Sequence, residues 1–546
     1  MASTPTRSPH DDFAPAWRSV DAWARKRLKQ AISRSAGGAV GLEVSSGPFL
    51  SAFLDEHHAH LQHIAVRTFT ARLREMRHSG QLRGATPQQR FANFLHTQLA
   101  RPDGWEPLFR SYPVLARLLT QATKREVKAW SELVARLRAD WKLLCSLFGC
   151  HPTDALSGVE SGAGERHGGR RVLKLRFRSG MRLVYKPRPI AVDSHFQALL
   201  AWFHAQGLGP QLRGLRVLDR GDYGWCEYVR HRPCRDLSQV EAFYRRLGAI
   251  LFLTYLLDGV DFHAENLIAC GEHPILVDLE TLFQNRPRAR RKPASEAAAL
   301  EELASDLAIR TGLLPMQMCG GEGRVEISGL AGGGRQSTPH RVARWRCRGA
   351  DTMHRVMIRV NMPPTHNRPI LPGTALGIAE YRQTLTDGFI QAYGLAVKHR
   401  EELLAPRGPI QAFRGDWVRF LARGSQTYAT LLEESYRPSC MKDVRERDRL
   451  FAALETNMDD QPYRLPLVAS ETADLCNGDV PAFRARVGSR DLYDLRGKRV
   501  KGFFESSALD RVRRRVNSLC TADLKRQVDC IERSFANLRD TESSHD

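Results

Sequence analysis

Asp261 to Glu280, DFHAENLIACGEHPILVDLE, is the stretch that decides how the chain is read. One short loop holds a carboxylate, an imidazole and an amide, and a second carboxylate follows on an apolar run. Asp261 and Asn266 stand in D-x-x-x-x-N spacing, in which phosphoryl-transfer sites place an Asp that takes the proton of the attacking hydroxyl and an Asn that holds Mg²⁺. The run Pro274 to Val277 reads as a buried strand ending in Asp278, the position of a second metal-binding carboxylate. One hairpin thus presents Asp261, Asn266 and Asp278 to a common point.

Upstream, SGVESGAGERHGGRR from Ser157 is glycine-rich and precedes a hairpin: Leu173, Leu175 and Phe177 alternate on one face, Arg178-Ser179-Gly180 turns, and Met181 to Lys186 returns. A glycine loop followed by a strand lysine suits nucleotide phosphates, because backbone N–H groups and an ammonium neutralise their charge. Lys186 is the candidate, and Pro187 ends its strand. Phe196, Leu199, Leu200 and Phe203 mark a helix that stops at Gly207, and Trp225 to Val229 reads as a strand. Phe243, Leu247, Ile250, Leu251 and Thr254 then form a buried helix leading into the central loop. Glycine loop, Lys strand, helix, strands, helix, catalytic loop and metal strand follow the order of a kinase lobe pair, with its hinge near Tyr228 to Cys234.

The chain has 546 residues, long enough for two to four units by an average of roughly 150 residues per domain. Its 82 Lys and Arg against 60 Asp and Glu leave a formal charge of +22, which favours a polyanionic partner. The 11 cysteines include no C-x-x-C pair, the N-terminus has no apolar leader and no run reaches membrane-spanning length; reduced thiols, a cytoplasmic location and no membrane insertion are expected. No zinc finger, helix-turn-helix or aromatic-rich RNA motif accompanies the charge, so nucleic acid is not the expected partner. Residues 1–150 read as helical, with Phe91, Leu95 and Leu99 and then Leu115, Leu118 and Leu119 at helical spacing, and carry no evident chemistry; His57, His58 and His60 read as surface histidines. Asn285 to Pro293, NRPRARRKP, reads as an exposed basic loop, and Met316 to Gly334 as a mobile glycine-rich cover. Leu524, Val528 and Ile531 mark a last helix.

With YKPR at Tyr185 to Arg188, DFHAEN at Asp261 to Asn266 and VDLETLF at Val277 to Phe283, the chain resembles the dehydratase domain of class II lanthipeptide synthetases. The likeness runs from the helical N-terminal region, including YPVLARLL at Tyr112 to Leu119, through LLP at Leu313 to Pro315, to the final helices. It implies an α+β fold: a lipid-kinase-like two-lobed core with a helical N-terminal region and further helical insertions. The implied units are residues 1–150 (helical), 151–235 (glycine loop and Lys strand), 236–400 (catalytic and metal-binding lobe) and 401–546 (mostly helical, with the elimination motif). It also implies phosphorylation of Ser and Thr in a ribosomal precursor peptide with ATP and Mg²⁺, then loss of phosphate to give dehydroalanine and dehydrobutyrine.

On that resemblance Lys186 contacts nucleotide phosphates, Asp261 activates the hydroxyl, Asn266 and Asp278 hold Mg²⁺, and His263 and Glu280 complete the kinase site. Arg419, Arg423 and Ser425 in RFLARGSQTY match the family's R-x-x-x-R-x-T-x-x-Y segment, with Ser425 in place of Thr and Tyr428 holding the register. Glu165 and His167 stand where the family carries D-x-H, one residue closer to the lysine. An acidic leader on the precursor would suit the basic charge, and with no length left for the family's zinc-bearing cyclase the expectation is dehydration without thioether rings, or rings left to a separate protein. The two altered positions keep open a kinase that stops at the phosphorylated product; a basic binding module without activity is the third reading.

Overall fold

Five strands, β1 (Leu156–Ser161), β2 (Leu173–Phe177), β3 (Arg182–Lys186), β4 (Val217–Asp219) and β5 (Gly224–Glu227), form an antiparallel sheet in the order β1-β2-β3-β5-β4. The computed structural model describes residues 12–34, 46–162, 164–288, 306–320, 323–330, 336–338, 340–456 and 461–542. The expected β2–β3 hairpin forms: Leu173 pairs with Tyr185, Arg176 with Arg182, and Gly180 takes the left-handed conformation (φ 84°) of the turn. The glycine-rich stretch differs from expectation, because its first part pairs with β2 as β1 and only the residues from Gly162 onward form a loop. Cross-strand pairing by Val159 and Glu160 outweighs the local glycine content.

The helical N-terminal region is present as expected, dominated by helices Ser46–His78 and Pro113–Phe148. Its inner face is inseparable from the sheet. Phe49, Phe53, Trp130 and Trp141 share one buried cluster with Leu173, Phe177, Tyr185 and Trp225, so residue 150 does not separate two cores. The Trp141 and Phe177 rings lie 5.2 Å apart. His57, read as a surface residue, is buried: helix Ser46–His78 turns it toward Glu126 on the neighbouring helix, and His60 Nδ1 reaches the same carboxylate at 2.8 Å. His58 instead meets Asp21 at 2.7 Å.

Helix Leu237–Leu256 is started by the Asp236 side chain, which accepts from Gln239 N at 2.9 Å, and is buried along most of its length. It crosses helix Arg382–Lys398 backbone to backbone: a Cβ on Gly248 would lie 1.8 Å from Leu385 O, and one on Gly388 1.9 Å from Arg245 O. Only glycine fits there. Strands β6 (Leu267–Cys270) and β7 (His273–Leu276) form the expected hairpin after this helix, with Leu267 opposite Leu276. Two further hairpins follow, β8 (Gln317–Gly320) with β9 (Gly323–Glu326) and β10 (Val342–Arg346) with β11 (His354–Ile358). Finally β12 (Trp417–Phe420), β13 (Phe483–Arg486), β14 (Leu492–Asp494) and β15 (Arg499–Val500) make a second antiparallel sheet in that order. Helix and sheet are mixed along the chain, as the α+β expectation requires.

Asp258, directly before the central loop, is buried with a positive φ of 53° and draws in three guanidinium groups: Arg310 at 2.5 Å, Arg511 at 2.6 Å and Arg515 at 3.2 Å. Burial alone would raise its pKa, but Arg515, Arg310 and Arg511 hold it well below the usual carboxylate range. Asp258→Ala leaves those cations without their shared partner and is expected to cost about 3–5 kcal/mol, read from the urea unfolding midpoint. A lowered carboxylate pKa contributes stability above the unfolded value of about 3.9 and loses it as pH falls further. The gap between the two proteins should therefore narrow in strong acid.

The basic segment that follows β7 begins packed, not exposed: Asn285 donates to Ser506 O at 2.8 Å and Arg288 N to Phe503 O at 3.1 Å. Its continuation, 289–293, lies outside the described residues. The described part of the glycine-rich cover forms the β8–β9 hairpin, and Ile327 and Ser328 beyond it pair with the central loop.

Candidate active site

The central loop leaves helix Leu237–Leu256 and is clamped on two sides before it reaches β6. Phe262 N donates to Thr311 O at 2.9 Å, while Ala264 N donates to Ile327 O at 3.3 Å. The two clamping segments are themselves joined, since Gly329 N donates to Gly312 O at 2.7 Å. Held between these segments, Asp261 adopts φ 66°, a left-handed conformation that Asp tolerates better than most residues. Its carboxylate is partly exposed, and its pKa is raised, first by burial and then by the charges of Asp278 and Glu280, against the pull of His263 and Arg419. His263 Nε2 stands 4.0 Å from Asp261 Oδ1.

Asn266 Nδ2 donates to Asp261 O at 2.8 Å, an assignment fixed by the carbonyl's inability to donate. Its Oδ1 is therefore the amide atom left for a ligand. Val277 N donates to Asn266 O at 3.0 Å, which sets Asp278 beside the loop end. Asp278 Oδ1 takes Arg188 Nη2 at 2.5 Å and Glu280 N at 3.3 Å. Mg²⁺ prefers oxygen donors and is held through one or two carboxylates with water and substrate phosphate, so the Asn266 and Asp278 oxygens fit a metal shared with a phosphate. Among the described residues no group of three or more His, Cys, Asp and Glu side chains could hold one alone.

Lys186 is buried at the end of β3 and donates to Asp193 Oδ1 at 2.7 Å and to Val277 O at 2.8 Å. Burial opposes its charge, yet the Asp193 carboxylate raises its pKa. The sheet carrying Lys186 is thereby tied to the strand leading to Asp278.

From Asp278 the charges continue as a chain of alternating sign. Arg188 binds Asp278 with one nitrogen and Glu280 with another at 2.8 Å; Arg419 meets Glu280 Oε1 at 3.1 Å and, with its other end, Glu165. Arg419 lies on β12, and its backbone N donates to Glu280 O at 2.7 Å. Burial disfavours ionised Glu165 and Glu280, but Arg419 lowers both pKa values, with help from the Ser425 hydroxyl at Glu165 and, ahead of Arg419, from Arg188 at Glu280. His167 completes the group: Nδ1 donates to Val480 O at 2.9 Å, leaving the Nε2 lone pair 3.6 Å from Glu165 Oε2. Its pKa is lowered by burial and by the Arg419 charge.

Ten of the eleven residues singled out in the sequence, Lys186, Asp261, His263, Asn266, Asp278, Glu280, Glu165, His167, Arg419 and Ser425, are linked by these contacts. Arg423 is not brought to the group. It sits bidentate on buried Glu471, at 2.9 and 3.2 Å, and Tyr428 donates to the same carboxylate. Arg188 and Asp193 join the site without having been assigned a role in the sequence; Arg188 was visible within YKPR, and Asp193 as an acidic residue in the first turn of an otherwise apolar helix.

Two comparisons bear on identity. The chain is 24% identical over 505 residues to the lacticin 481/lactococcin biosynthesis protein LcnDR2 of Lactococcus lactis subsp. lactis, a match covering 87% of this chain and 51% of that protein. It therefore spans about half the length of that relative. Residues 112–486 match the domain of unknown function DUF4135, a span that holds every residue of the group just described. The chain belongs to the DUF4135 family, the domain found in class II lanthipeptide synthetases of the LanM type.

Proposed function

We propose that the chain dehydrates Ser and Thr of a ribosomal precursor peptide in two steps, phosphorylation with ATP and Mg²⁺ followed by elimination of phosphate. The observation that carries this reading is the unbroken ion-pair chain from Asp278 through Arg188, Glu280 and Arg419 to Glu165, which joins a phosphoryl-transfer loop to a base and cation suited to elimination. A bound Mg-nucleotide supplies the phosphoryl group and spreads its charge. Lys186 and Arg188 attract its phosphates, Asn266 and Asp278 offer oxygens to the metal, and Asp261 accepts the proton of the substrate hydroxyl. The sheet of β1–β5 and the helices around 237–256 act as the two lobes of a lipid-kinase-like core in this reading.

In the second step His167 Nε2 takes the proton from Cα of the phosphorylated residue. The electron pair forms the Cα=Cβ bond, the Cβ–O bond breaks, and phosphate leaves with its electrons toward Arg419. Val480 O fixes the His167 tautomer, and Glu165 holds Arg419 and faces the imidazolium once it forms. Because His167 must be neutral and its pKa is lowered, elimination from a preformed phosphopeptide should stay level from neutral to mildly alkaline pH. It should fall only below the ordinary histidine value of about 6.5, as a pH series of single-turnover rates would reveal.

The excess positive charge suits an acidic leader on the precursor. No described helix is long and apolar enough to cross a membrane. The sequestered Arg423 favours a second reading, a kinase that stops at the phosphorylated product. Intact mass after incubation with a precursor, ATP and Mg²⁺ decides: loss of one water per residue supports the dehydratase, gain of phosphate alone the kinase, and no change with a genomically adjacent precursor counts against both.

A further inference from the structure

The loop that delivers Glu165 and His167 is fastened from behind by the helical region in which the sequence offers no chemistry. Arg166 lies between the two site residues and points the opposite way, as alternate residues of an extended segment do. Its Nη1 meets Glu126 Oε1 at 2.6 Å and its Nη2 meets Glu56 Oε2 at 3.6 Å. Glu126, on helix Pro113–Phe148, is buried and also takes His60 Nδ1 at 2.8 Å and His57 Nδ1. Burial opposes its charge, but Arg166 and the two histidines hold the carboxylate ionised. The fastening continues past the site residues: Gly168 N donates to Asp479 Oδ1 at 3.1 Å, and Arg170 and Arg171 pair with Glu132 at 2.8 Å and Glu56 at 2.5 Å.

Apolar side chains would join the two helices without the desolvation cost of a buried carboxylate. What Glu126 adds is a fixed, directional partner for one loop cation. We propose that Glu126 is a positioning residue for elimination: through Arg166 it sets the register of the loop, so that Glu165 meets Arg419 and His167 Nε2 faces the substrate side. Lys186, Asp261 and Asp278 are held by other contacts, so phosphorylation does not depend on this anchor. The inference rests on the dehydratase reading and assigns Glu126 to its second half alone.

The test compares Arg166→Gln, Arg166→Lys and Glu126→Gln with the unaltered protein, following phosphorylation of a precursor, elimination from a preformed phosphopeptide, and hydrogen exchange of the amides at 164–171. Arg166→Gln and Glu126→Gln should phosphorylate within about twofold of the unaltered rate, eliminate about 10- to 100-fold more slowly and exchange the loop amides faster, because a small misplacement of reacting groups has a large kinetic effect. Arg166→Lys, which keeps the charge but not the fork, should recover part of the elimination rate. Equal losses in both half-reactions would reduce Glu126 to general support of the fold, and normal elimination from a freely exchanging loop would overturn the proposal outright. Should Glu126→Gln fail to fold, the Arg166 pair decides the matter. If the unaltered protein neither phosphorylates nor eliminates, the functional reading falls, while loop exchange still reports whether the anchor exists.

Discussion

Asp261→Asn lowers ATP-dependent phosphorylation of the precursor by about 10²–10⁴-fold, the contribution expected of a positioned general base. Asparagine is the informative replacement, because the backbone at residue 261 has φ 66° and Asn shares the tolerance of Asp for that region, whereas Ala would add strain of roughly 1–2 kcal/mol. The amide keeps the size of the carboxylate and removes only its charge and basicity. Burial and the neighbouring Asp278 and Glu280 raise the pKa of Asp261, so at neutral pH its charge disfavours the folded state. A carboxylate with a raised pKa loses stability as pH climbs through that value, and the Asn variant escapes this loss. Its melting temperature should equal or exceed that of the unaltered protein. An inactive variant that melts lower would point to a structural defect, and a variant with full turnover would remove Asp261 from the chemistry.

Arg419→Ala should separate the two half-reactions. Among the described residues Arg419 alone pairs with both Glu280, next to the central loop, and Glu165, next to His167. Without it Glu280 keeps Arg188 at 2.8 Å, so the metal side of the site retains a charged partner. Glu165 loses its guanidinium and the departing phosphate loses its cation. Removing one such electrostatic donor costs about 10²–10³-fold in the step it serves, so mass spectrometry should show phosphorylated peptide accumulating with little dehydrated product. Dehydration at the normal rate would assign phosphate departure to another cation, such as Arg188, which shares Glu280 with Arg419. Loss of phosphorylation as well would mean that the ion-pair chain acts as one unit in both steps.

The parts of the molecule that were legible in the sequence are those specified by near neighbours. The β2–β3 hairpin carries its own turn and alternation, helix Leu237–Leu256 its own apolar face, and the loop from Asp261 to Asn266 its own spacing. Side chains whose partners lie far along the chain were not legible. His57 reads as polar until helix packing sets it against Glu126, 69 residues away. Arg423 fits a motif by position, yet Glu471, 48 residues on, takes its guanidinium. Val159 and Glu160 look like loop residues until β2 supplies their ladder. In each case the deciding term is a tertiary contact that overrides local propensity.

The buried cluster shared by the N-terminal helices and the first sheet bears on how the chain may be divided. A fragment starting at residue 151 would keep Lys186, the central loop and Arg419, and on paper would hold the whole set of reacting groups. It would also strip Trp130 and Trp141 from Leu173, Phe177, Tyr185 and Trp225, turning the hidden side of the sheet into an open apolar surface. Such a fragment should aggregate on expression. The N-terminal helices are thus a cofolding half of the sheet that carries Lys186, and deletion mapping that begins inside them would report solubility in the guise of activity.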